Sequence, residues 1–304
     1  MRALQFFAYG PPSVLRVAEV PEPHAGPGEI RIAVRASGIT PADGYFRSGR
    51  FRDWIPLDLP HTPGIDAAGV VDEVGAGVTA ARVGDEVFGT VDYARQGGAN
   101  AEYAVLTVWG PKPAALSWEQ AGGAAGNIET AVRVLDRLGV KDGTTLLIEG
   151  AAGGVGTVAI QLAVARGAKV IGTASPGNHE FLRSLGAAAT TYGPGLAGRV
   201  SGVDVVLDAA GSGSLPDLVA LAGDPARVVT IADIDAPAQG VHLSRSGGPD
   251  ADLPSSGGLA IAAGLADLGR FTVPVAAVFP LDEAAAAHEL VESRHARGKV
   301  VLTP

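Results

Sequence analysis

The sequence predicts an α/β protein with two domains, one a small β-rich barrel and the other a parallel sheet with helices on both faces. Three observations support this fold class. Short strand-like segments separated by glycine and proline fill the first third of the chain, strands and helices alternate from Trp118 onwards, and a strand pattern returns near the end. We expect the tail to rejoin the first domain. The domains are then 1–119 with 265–304, and 120–264.

The strands of the first third are short, and most lie close to a glycine turn. Residues 29–39 (EIRIAVRASGI) alternate between apolar and polar side chains, as a half-buried strand does. Residues 67–78, 84–91 and 100–108 have a similar composition. Many short strands with such punctuation favour a barrel or a sandwich.

From Trp118 onwards the period of the apolar residues changes. Residues 118–140 predict a helix that is broken around Gly126. Further strands are expected at 144–150, 169–174, 204–211, 226–233, 271–279 and 298–304, and helices at 153–168, 179–187 and 282–293. The polar, glycine-rich segment 240–258 is expected to be a mobile loop.

The composition limits the class of function. The net charge is −9, so nucleic acid and anionic membrane surfaces are not expected partners. The chain has no cysteine, which excludes disulfides, thiol nucleophiles and cysteine-bound zinc. We find no signal-peptide pattern and no apolar run long enough to span a membrane. We therefore expect a soluble cytoplasmic protein that acts on a small-molecule substrate.

The stretch IEGAAGGVGT (148–157) lies between a predicted strand and a predicted helix. It fits the template G-x-G-x-x-G, with Ala151 in place of the first glycine, followed by Gly153 and Gly156. Gly153 lets the backbone approach a phosphate, and Gly156 lets the helix pack on the strand. We predict a pyrophosphate turn that includes Gly154 and Val155. The alternative is a glycine-rich turn without a ligand.

The end of the next strand indicates which dinucleotide binds. An NAD site has an acidic residue there, but this chain continues Thr173-Ala174-Ser175, with no acid before Glu180. A 2′-phosphate is therefore not repelled, and NADPH is favoured over NADH. The polar side chains that are candidates to bind it are Ser175, Asn178, His179 and Tyr192. The alternative is that these four are ordinary surface residues.

These residues and several further motifs resemble one family nearly end to end. The motifs are GITPADGYFRSG (38–49), TPGIDAAGVVDEVGAGV (62–78), VGDEVFG (83–89), AEYAV (101–105), GAAGGVG (150–156) and ARGKVVL (296–302). The chain resembles the medium-chain dehydrogenase/reductase superfamily, in its zinc-free quinone oxidoreductase branch. The resemblance implies a GroES-like β-barrel catalytic domain with an inserted Rossmann domain, NADPH bound in the cleft between them, and a homodimer.

A comparison with the zinc-dependent members of this superfamily indicates whether the chain is expected to bind zinc. They carry a cysteine where this chain has Thr40, and a His-Glu pair where it has Ile65-Asp66. The cysteine-rich lobe for structural zinc is also missing, because 89–103 passes directly through its place. His61 and Asp66 alone do not supply the roughly three protein ligands of a catalytic zinc. We predict no zinc, and this favours hydride addition to an activated C=C bond or a quinone.

The resemblance also assigns roles to individual residues. Tyr45 is the candidate hydrogen-bond donor to a substrate oxygen, with aromatic packing as its alternative role. Asp43 is expected to orient other groups or to be structural rather than to act as a base. The residues of the candidate substrate site are Thr40, Asp43, Tyr45 and Asn127. The resemblance also places Thr130 and Lys299 near the cofactor. The residues expected there because they end predicted strands are Thr173, Asp208, Ala209, Gly211, Ile231, Ala232 and Asp233.

We therefore expect an NADPH-dependent reductase of quinones or α,β-unsaturated carbonyls. A dedicated enoyl reductase is the alternative within enzymes, although Phe51 stands where such enzymes often have a tyrosine. A non-catalytic NADPH-binding protein is the alternative outside enzymes. The arginines at 47, 50 and 52 are interpreted as a solvated loop rather than as a site for an acidic substrate. His242 and Arg245 are candidates to cover the substrate.

Overall fold

The computed structural model describes residues 1–95, 97–247, 250–255 and 257–304. The chain divides into two compact units, which are 1–126 with 259–304 (the first unit) and 127–258 (the second unit). The boundaries expected from the sequence, 119/120 and 264/265, lie a few residues away. Among the helices of the described residues, none is long and apolar enough to cross a membrane.

The strands, in chain order, are β1 Arg2–Phe6, β2 Leu15–Glu19, β3 Ile30–Ile39, β4 Asp66–Val74, β5 Glu86–Thr90, β6 Tyr103–Leu106, β7 Val108–Pro111, β8 Thr145–Glu149, β9 Lys169–Thr173, β10 Ala188–Thr190, β11 Val205–Asp208, β12 Val228–Thr230, β13 His242–Leu243, β14 Val275–Pro280 and β15 Lys299–Thr303. The helices are α1 Pro41–Arg47, α2 Trp118–Gly122, α3 Ala125–Arg137, α4 Gly154–Ala165, α5 His179–Ser184, α6 Leu196–Arg199, α7 Leu215–Ala222, α8 Gly258–Asp267 and α9 Ala284–Glu292.

The predicted break in the helix is confirmed, and it lies slightly before Gly126. The break lies at 123–124, and α3 already begins at Ala125. A side chain at Gly122 would place Cβ 2.5 Å from the carbonyl oxygen of Ala36, so the backbone packs directly on β3 there. This close contact requires a glycine at the last residue of α2. The predicted strand 100–108 is also two strands, because β6 pairs with β3 whereas β7 pairs with β5.

The first unit is built on a seven-stranded sheet with the order β14-β15-β3-β4-β5-β7, and β6 pairs with β3 beside this path. Its strands are antiparallel to their neighbours except for β14 and β15, which are parallel. Because β15 pairs with β3, the C-terminal segment completes the sheet that the first third of the chain begins. Ile30 and Ile32 of β3 and Leu106 of β6 are fully buried in its core.

The second unit is a six-stranded sheet with the order β10-β9-β8-β11-β12-β13, and all five pairings are parallel. Numbered within the unit this is 3-2-1-4-5-6, the order of a dinucleotide-binding Rossmann sheet. The predicted α/β fold class is confirmed. The order reverses between β8 and β11, and ligands of such sheets bind beyond the carboxyl ends of the strands at that point. Residues 248, 249 and 256 of the expected mobile loop lie outside the described residues.

Candidate functional site

The glycine turn connects the end of β8 to the start of α4 at the carboxyl edge of the second unit's sheet. Gly150 has φ +75°, a left-handed conformation that favours glycine. Ala151 is fully buried, and its N–H donates to the Thr173 carbonyl oxygen at 3.2 Å. The left-handed residue is thus Gly150, so Ala151 occupies the first template position with an ordinary backbone conformation.

The beginning of α4 fits a diphosphate. Gly153 is the N-cap residue and makes no side-chain cap, so the first N–H groups of this twelve-residue helix have no capping side chain. A Cβ on Gly156 would lie 2.5 Å from the Gly150 carbonyl oxygen and 2.7 Å from Ala151 Cα. Gly156 is therefore required for the helix to lie against the turn. A Cβ on Gly153 would meet nothing closer than 3.3 Å, so Gly153 contributes by leaving the approach open.

The end of β9 holds an unsatisfied hydroxyl. Thr173 is fully buried, and its Oγ1 has no hydrogen-bond partner within the part of the chain that is described. Beyond it, Asn178 Nδ2 donates to Ser175 Oγ at 3.2 Å, and His179 Nε2 lies 3.2 Å from the Ala174 carbonyl oxygen. Tyr192, on the loop after β10, is 53% exposed. These polar groups lie at the edge where a dinucleotide's adenosine would bind.

Two buried side chains shape the loops that follow β11 and β12. The N–H groups of Ala210 and Gly211 both donate to Asp208 Oδ1 at 2.9 Å, and Thr230 Oγ1 donates to Asp208 Oδ2 at 2.8 Å. Thr230 Oγ1 in turn accepts from the N–H groups of Ala232 and Asp233 at 3.1 Å. Asp208 therefore holds the loops 209–211 and 231–233 in place through bonds within the protein. Thr230 was not among the predicted site residues. It ends β12, the strand that pairs with β11, and β11 ends at Asp208.

Glu149 is a second residue that was not predicted from the sequence. Its carboxylate, 2% exposed, accepts hydrogen bonds from Ser212 Oγ at 3.0 Å and from Ser214 Oγ. Burial raises the pKa of this carboxyl group. The contact joins the strand before the glycine turn to the loop before α7. An acidic residue at the end of a buried strand was the signal available in the sequence.

The residues expected beside the nicotinamide lie on α3. Asn127 is buried, and Thr130 Oγ1 accepts from Arg133 Nη2 at 3.4 Å. Arg133 is itself buried and forms an ion pair with Glu129 at 2.8 Å. Arg133 therefore orients the Thr130 hydroxyl, a link that the sequence spacing did not reveal.

Arg133 also binds the segment 242–255. Its Nη1 donates to Ser244 Oγ and lies 3.6 Å from Asp252 Oδ2. His242, on β13, has Nε2 3.0 Å from Asp252 as well. His242, which was expected to cover the substrate, is thus engaged with Asp252. The described part of this segment is held to α3 by buried charges.

In the first unit, Thr40 and Asp43 form a capping box at the start of α1. The Asp43 carboxylate accepts from Thr40 N–H at 2.7 Å, from Thr40 Oγ1 at 2.8 Å and from Gly64 N–H at 3.0 Å. Desolvation raises the pKa of this fully buried group. Asp43 therefore connects α1 to the turn at 62–64, and the Thr40 hydroxyl is used in the same contact.

Tyr45 lies on α1 and is half-buried. Its ring centroid is 5.1 Å from that of Phe51, and the Arg50 guanidinium carbon lies 4.9 Å from it. The ring is thus packed, and the cation–π contact restrains its orientation. Both contacts are made by the ring of Tyr45.

The interpretation of Arg47 as part of a solvated loop is wrong. Its side chain is 1% exposed and forms an ion pair with Glu292 of α9. Its Nη1 also donates to the Gly10 carbonyl oxygen, and burial lowers its pKa. Arg50 and Arg52 are exposed as expected, with Arg52 Nε 3.7 Å from Asp53. Arg47 differs from Arg50 and Arg52 because it lies on the face of α1 that packs against α9 and the turn at Gly10.

Residues at and near the positions that the resemblance equates with zinc ligands have other partners here. Asp66 is fully buried, with Oδ1 accepting from Gly126 N–H at 2.7 Å and Oδ2 3.5 Å from Lys299 Nζ. Lys299, which the resemblance assigns to the cofactor, is therefore paired with Asp66. His61 is fully buried between aromatic rings. Residues 1–95, 97–247, 250–255 and 257–304 contain no group of three His, Cys, Asp or Glu side chains placed to hold a metal. The donor set does not fit zinc.

Comparison with known proteins identifies the family of the chain. Residues 26–136 match the family model of the alcohol dehydrogenase GroES-like domain, and residues 185–302 match a model described as zinc-binding dehydrogenase. A quinone oxidoreductase of Sus scrofa is 33% identical over 99% of this chain and 97% of its own length. An Arabidopsis thaliana protein named NADPH-dependent alkenal/one oxidoreductase is 32% identical over 100% of this chain and 80% of its own length.

Solved structures are similar over the whole chain. A quinone oxidoreductase from Coxiella burnetii has a TM-score of 0.86 at 30% identity, covering 100% of this chain and 99% of that one. An NAD-dependent alcohol dehydrogenase has a TM-score of 0.85 at 30% identity, with both chains fully covered. A mycobacterial protein in complex with NADPH has a TM-score of 0.81 at 29% identity, again with both chains fully covered. The chain therefore belongs to the medium-chain dehydrogenase/reductase superfamily, in its quinone oxidoreductase-like branch.

Proposed function

We propose that the protein is an NADPH-dependent oxidoreductase that reduces a quinone or an α,β-unsaturated carbonyl compound without zinc. The observation that carries the proposal is the uncapped N-terminus of α4 at the carboxyl edge of a Rossmann sheet, where the adjoining strand ends in Thr173, whose hydroxyl has no hydrogen-bond partner among the residues that the structure describes. Relatives named for quinone and alkenal/one reduction support the class of substrate.

Several contacts support NADPH as the cofactor. The uncapped start of α4 and the glycines at 153 and 156 suit a pyrophosphate. Ser175, Asn178, His179 and Tyr192 offer hydrogen-bond donors for the 2′-phosphate, and the strand end carries no acid to repel it. Bound there, NADPH supplies the hydride.

The donor chemistry of the first unit supports a reaction without zinc. Asp66 is neutralised by Lys299, Ile65 has no ligating atom, and the Thr40 hydroxyl donates to Asp43. Reduction of a quinone or an enone places negative charge on the substrate oxygen, which a hydrogen-bond donor stabilises.

We assign this donor role to the Tyr45 hydroxyl. Arg50 and Phe51 contact its ring, and these contacts restrain the side chain that carries the hydroxyl. Asp43 supports this arrangement indirectly, since it fixes the first turn of the helix that carries Tyr45. Asp43 itself accepts hydrogen bonds from three groups and does not act as a base in this scheme.

The proposal is tested by steady-state assays of the purified, EDTA-dialysed protein with a quinone, a simple enone and an enoyl thioester, each with NADPH and NADH. We expect turnover with the quinone or the enone and a lower Kd for NADPH than for NADH. Tyr45→Phe should lower turnover by about tenfold to a hundredfold and leave the NADPH Kd within about twofold.

Tyr103→Phe is the matched control, because Tyr103 also lies in the first unit under an arginine, with Arg31 5.1 Å from its ring centroid. It should leave turnover unchanged. Tight NADPH binding without turnover on any acceptor would favour a binding protein, and activity on the thioester alone would favour an enoyl reductase. Loss of activity on dialysis that zinc restores would refute the metal-free reaction.

A further inference from the structure

The candidate 2′-phosphate site lacks an obvious positive charge. A phosphate monoester carries a charge of roughly −2 at neutral pH, and proteins usually meet it with arginine or lysine. Residues 174–180 after β9 contain neither an arginine nor a lysine, and their polar side chains are Ser175, Asn178, His179 and the acidic Glu180. A site that prefers NADPH therefore needs a cation from another part of the chain.

The neighbouring strand brings a different segment to this edge. β10 is parallel to β9, with Thr190 opposite Thr173, and Ala174 N–H donates to the Thr190 carbonyl oxygen at 3.0 Å. Adjacent strands lie about 4.8 Å apart. The residues that follow Thr190 therefore begin beside the residues that follow Thr173, although 17 positions separate them in the sequence.

Arg199 folds back onto this segment from α6. Its Nη2 donates to the carbonyl oxygens of Thr191 at 2.8 Å and Gly193 at 3.3 Å, and its Nη1 donates to that of Pro194 at 3.0 Å. The guanidinium group thus binds the backbone on both sides of Tyr192. A Cβ on Gly195 would lie 3.0 Å from Arg199 Nη1, so a glycine at 195 leaves room for the arginine.

The guanidinium group retains donors for a ligand. It has five N–H groups, and the three contacts to carbonyl oxygens use three of them. Nε–H and one Nη1–H remain, and Arg199 is exposed to solvent. These two donors lie on different edges of the guanidinium, so either can donate singly to a phosphate oxygen, and the group brings the positive charge that the end of β9 lacks.

We infer that Arg199 is the cation that recognises the 2′-phosphate of the cofactor, alongside the neutral donors at the end of β9. The inference deepens the proposed function and rests on its choice of NADPH. It makes Arg199 a specificity-determining residue: it holds the loop that carries Tyr192 and presents its remaining donors to the phosphate.

The inference is tested by Arg199→Gln and Arg199→Lys, with Arg183→Gln as a control of equal charge. Arg183 is an exposed residue in the last turn of α5, so it tests the effect of charge on the same unit. The Kd values of NADPH, NADH, adenosine 2′,5′-bisphosphate and 5′-AMP are measured by fluorescence titration and displacement, at low and high salt.

For Arg199→Gln we expect the Kd of NADPH and of the bisphosphate to rise by about tenfold or more, while those of NADH and 5′-AMP stay within about twofold. Arg199→Lys should recover part of the affinity, and the wild-type preference for NADPH should weaken with salt. An unchanged NADPH Kd in Arg199→Gln, an equal loss for NADH, or an equal effect of Arg183→Gln would overturn the inference and leave the proposed NADPH dependence standing. A wild-type protein that binds NADH as tightly as NADPH would overturn both.

Discussion

His61 is a titratable side chain enclosed by aromatic rings. Its ring centroid lies 5.7 Å from that of Phe6 and 5.2 Å from that of Tyr93. Both of its ring nitrogens are without a hydrogen-bond partner among the described residues. Burial lowers the pKa of His61 from 6.5 to about 4, so the folded protein holds a neutral imidazole at neutral pH. The same cause lowers the pKa of His288 to about 3.

These histidines predict a loss of stability between about pH 6.5 and pH 4. In that range the unfolded chain binds protons at histidine and the folded chain does not, so acid favours the unfolded state. For His61 alone, the free energy of unfolding should fall by about 2 kcal/mol from pH 7 to pH 5. His61→Phe should remove this part of the pH dependence, as measured by urea unfolding at both pH values.

The exposed His295 provides the control for this prediction. His295→Gln should keep the wild-type difference between pH 7 and pH 5. If His61→Phe loses as much stability over this interval as the wild type, then His61 is protonated in the folded state and the prediction fails. Carboxylates also titrate in this range, and the comparison between variants cancels their contribution.

Prediction from the sequence succeeded where close contacts within one short stretch of chain decide which residue is required. Gly156 has to be a glycine because its Cβ would overlap the Gly150 carbonyl oxygen, and a local template captures that requirement. Prediction failed where the partner is remote in the sequence. Arg47 was interpreted as exposed because its partner, Glu292, lies 245 positions away. Thr230 and Glu149 were missed for the same reason, since their partners lie on other strands and loops.

At the scale of elements, Arg133 connects α3 to described residues of the segment 242–255. Arg133 binds Glu129 and Thr130 on its own helix, and Ser244 and Asp252 on the segment. The side chain of Arg133 is 5% exposed, so these contacts are shielded from water. Removing one partner from such a network leaves buried charges without compensation.

We therefore expect Arg133→Gln to lower the free energy of unfolding by about 3 kcal/mol and to speed hydrogen exchange in the described residues of 242–255. Arg137→Gln is the matched control, because Arg137 contacts the same Asp252 at 3.5 Å from a side chain that is 47% exposed. It should cost less than about 1 kcal/mol. Equal effects of the two substitutions on stability and exchange would show that burial does not set the strength of this contact.

Elements with a strong period were predicted well, and short elements were not. The alternation in 29–39 and the apolar run at 144–150 correspond to β3 and β8. β13 has two residues and α6 has four, too few for a period to be recognised. The division of 100–108 into β6 and β7 depends on which strands lie alongside, and a local pattern carries no information about that.

At the scale of the whole molecule, the two units differ in how the chain builds them. The second unit is one continuous segment, and its sheet and its apolar core, which includes Leu147, Val206 and Val228, come from 127–258. The first unit needs both ends of the chain, because β15 pairs with β3 and Val300 and Leu302 pack with Leu4 and Phe6. The sequence predicted this asymmetry from the returning strand pattern.

The asymmetry predicts that the second unit folds alone and that the N-terminal part of the first does not. A fragment of residues 125–267, which keeps α3 and α8 whole, should unfold cooperatively and bind NADPH, because all the residues of the glycine turn and the adjoining strand ends lie within it. A fragment of residues 1–126 should show no cooperative transition, since it lacks β15 and the part of the core that β15 supplies. Circular dichroism with heating and NADPH fluorescence measure both properties.

Gly156→Val in the longer fragment separates folding from ligand recognition. Its Cβ would lie 2.5 Å from the Gly150 carbonyl oxygen, so the turn and the start of α4 must move apart and the N–H groups no longer converge on a diphosphate. Gly264→Val is the control, because a Cβ at Gly264, on α8, meets nothing within 4 Å. We expect Gly156→Val to weaken NADPH binding by about a hundredfold and Gly264→Val to leave it within about threefold. Similar affinities in the two variants would mean that the glycine turn does not hold the pyrophosphate, and an unfolded 125–267 fragment would mean that the second unit depends on the first for its stability.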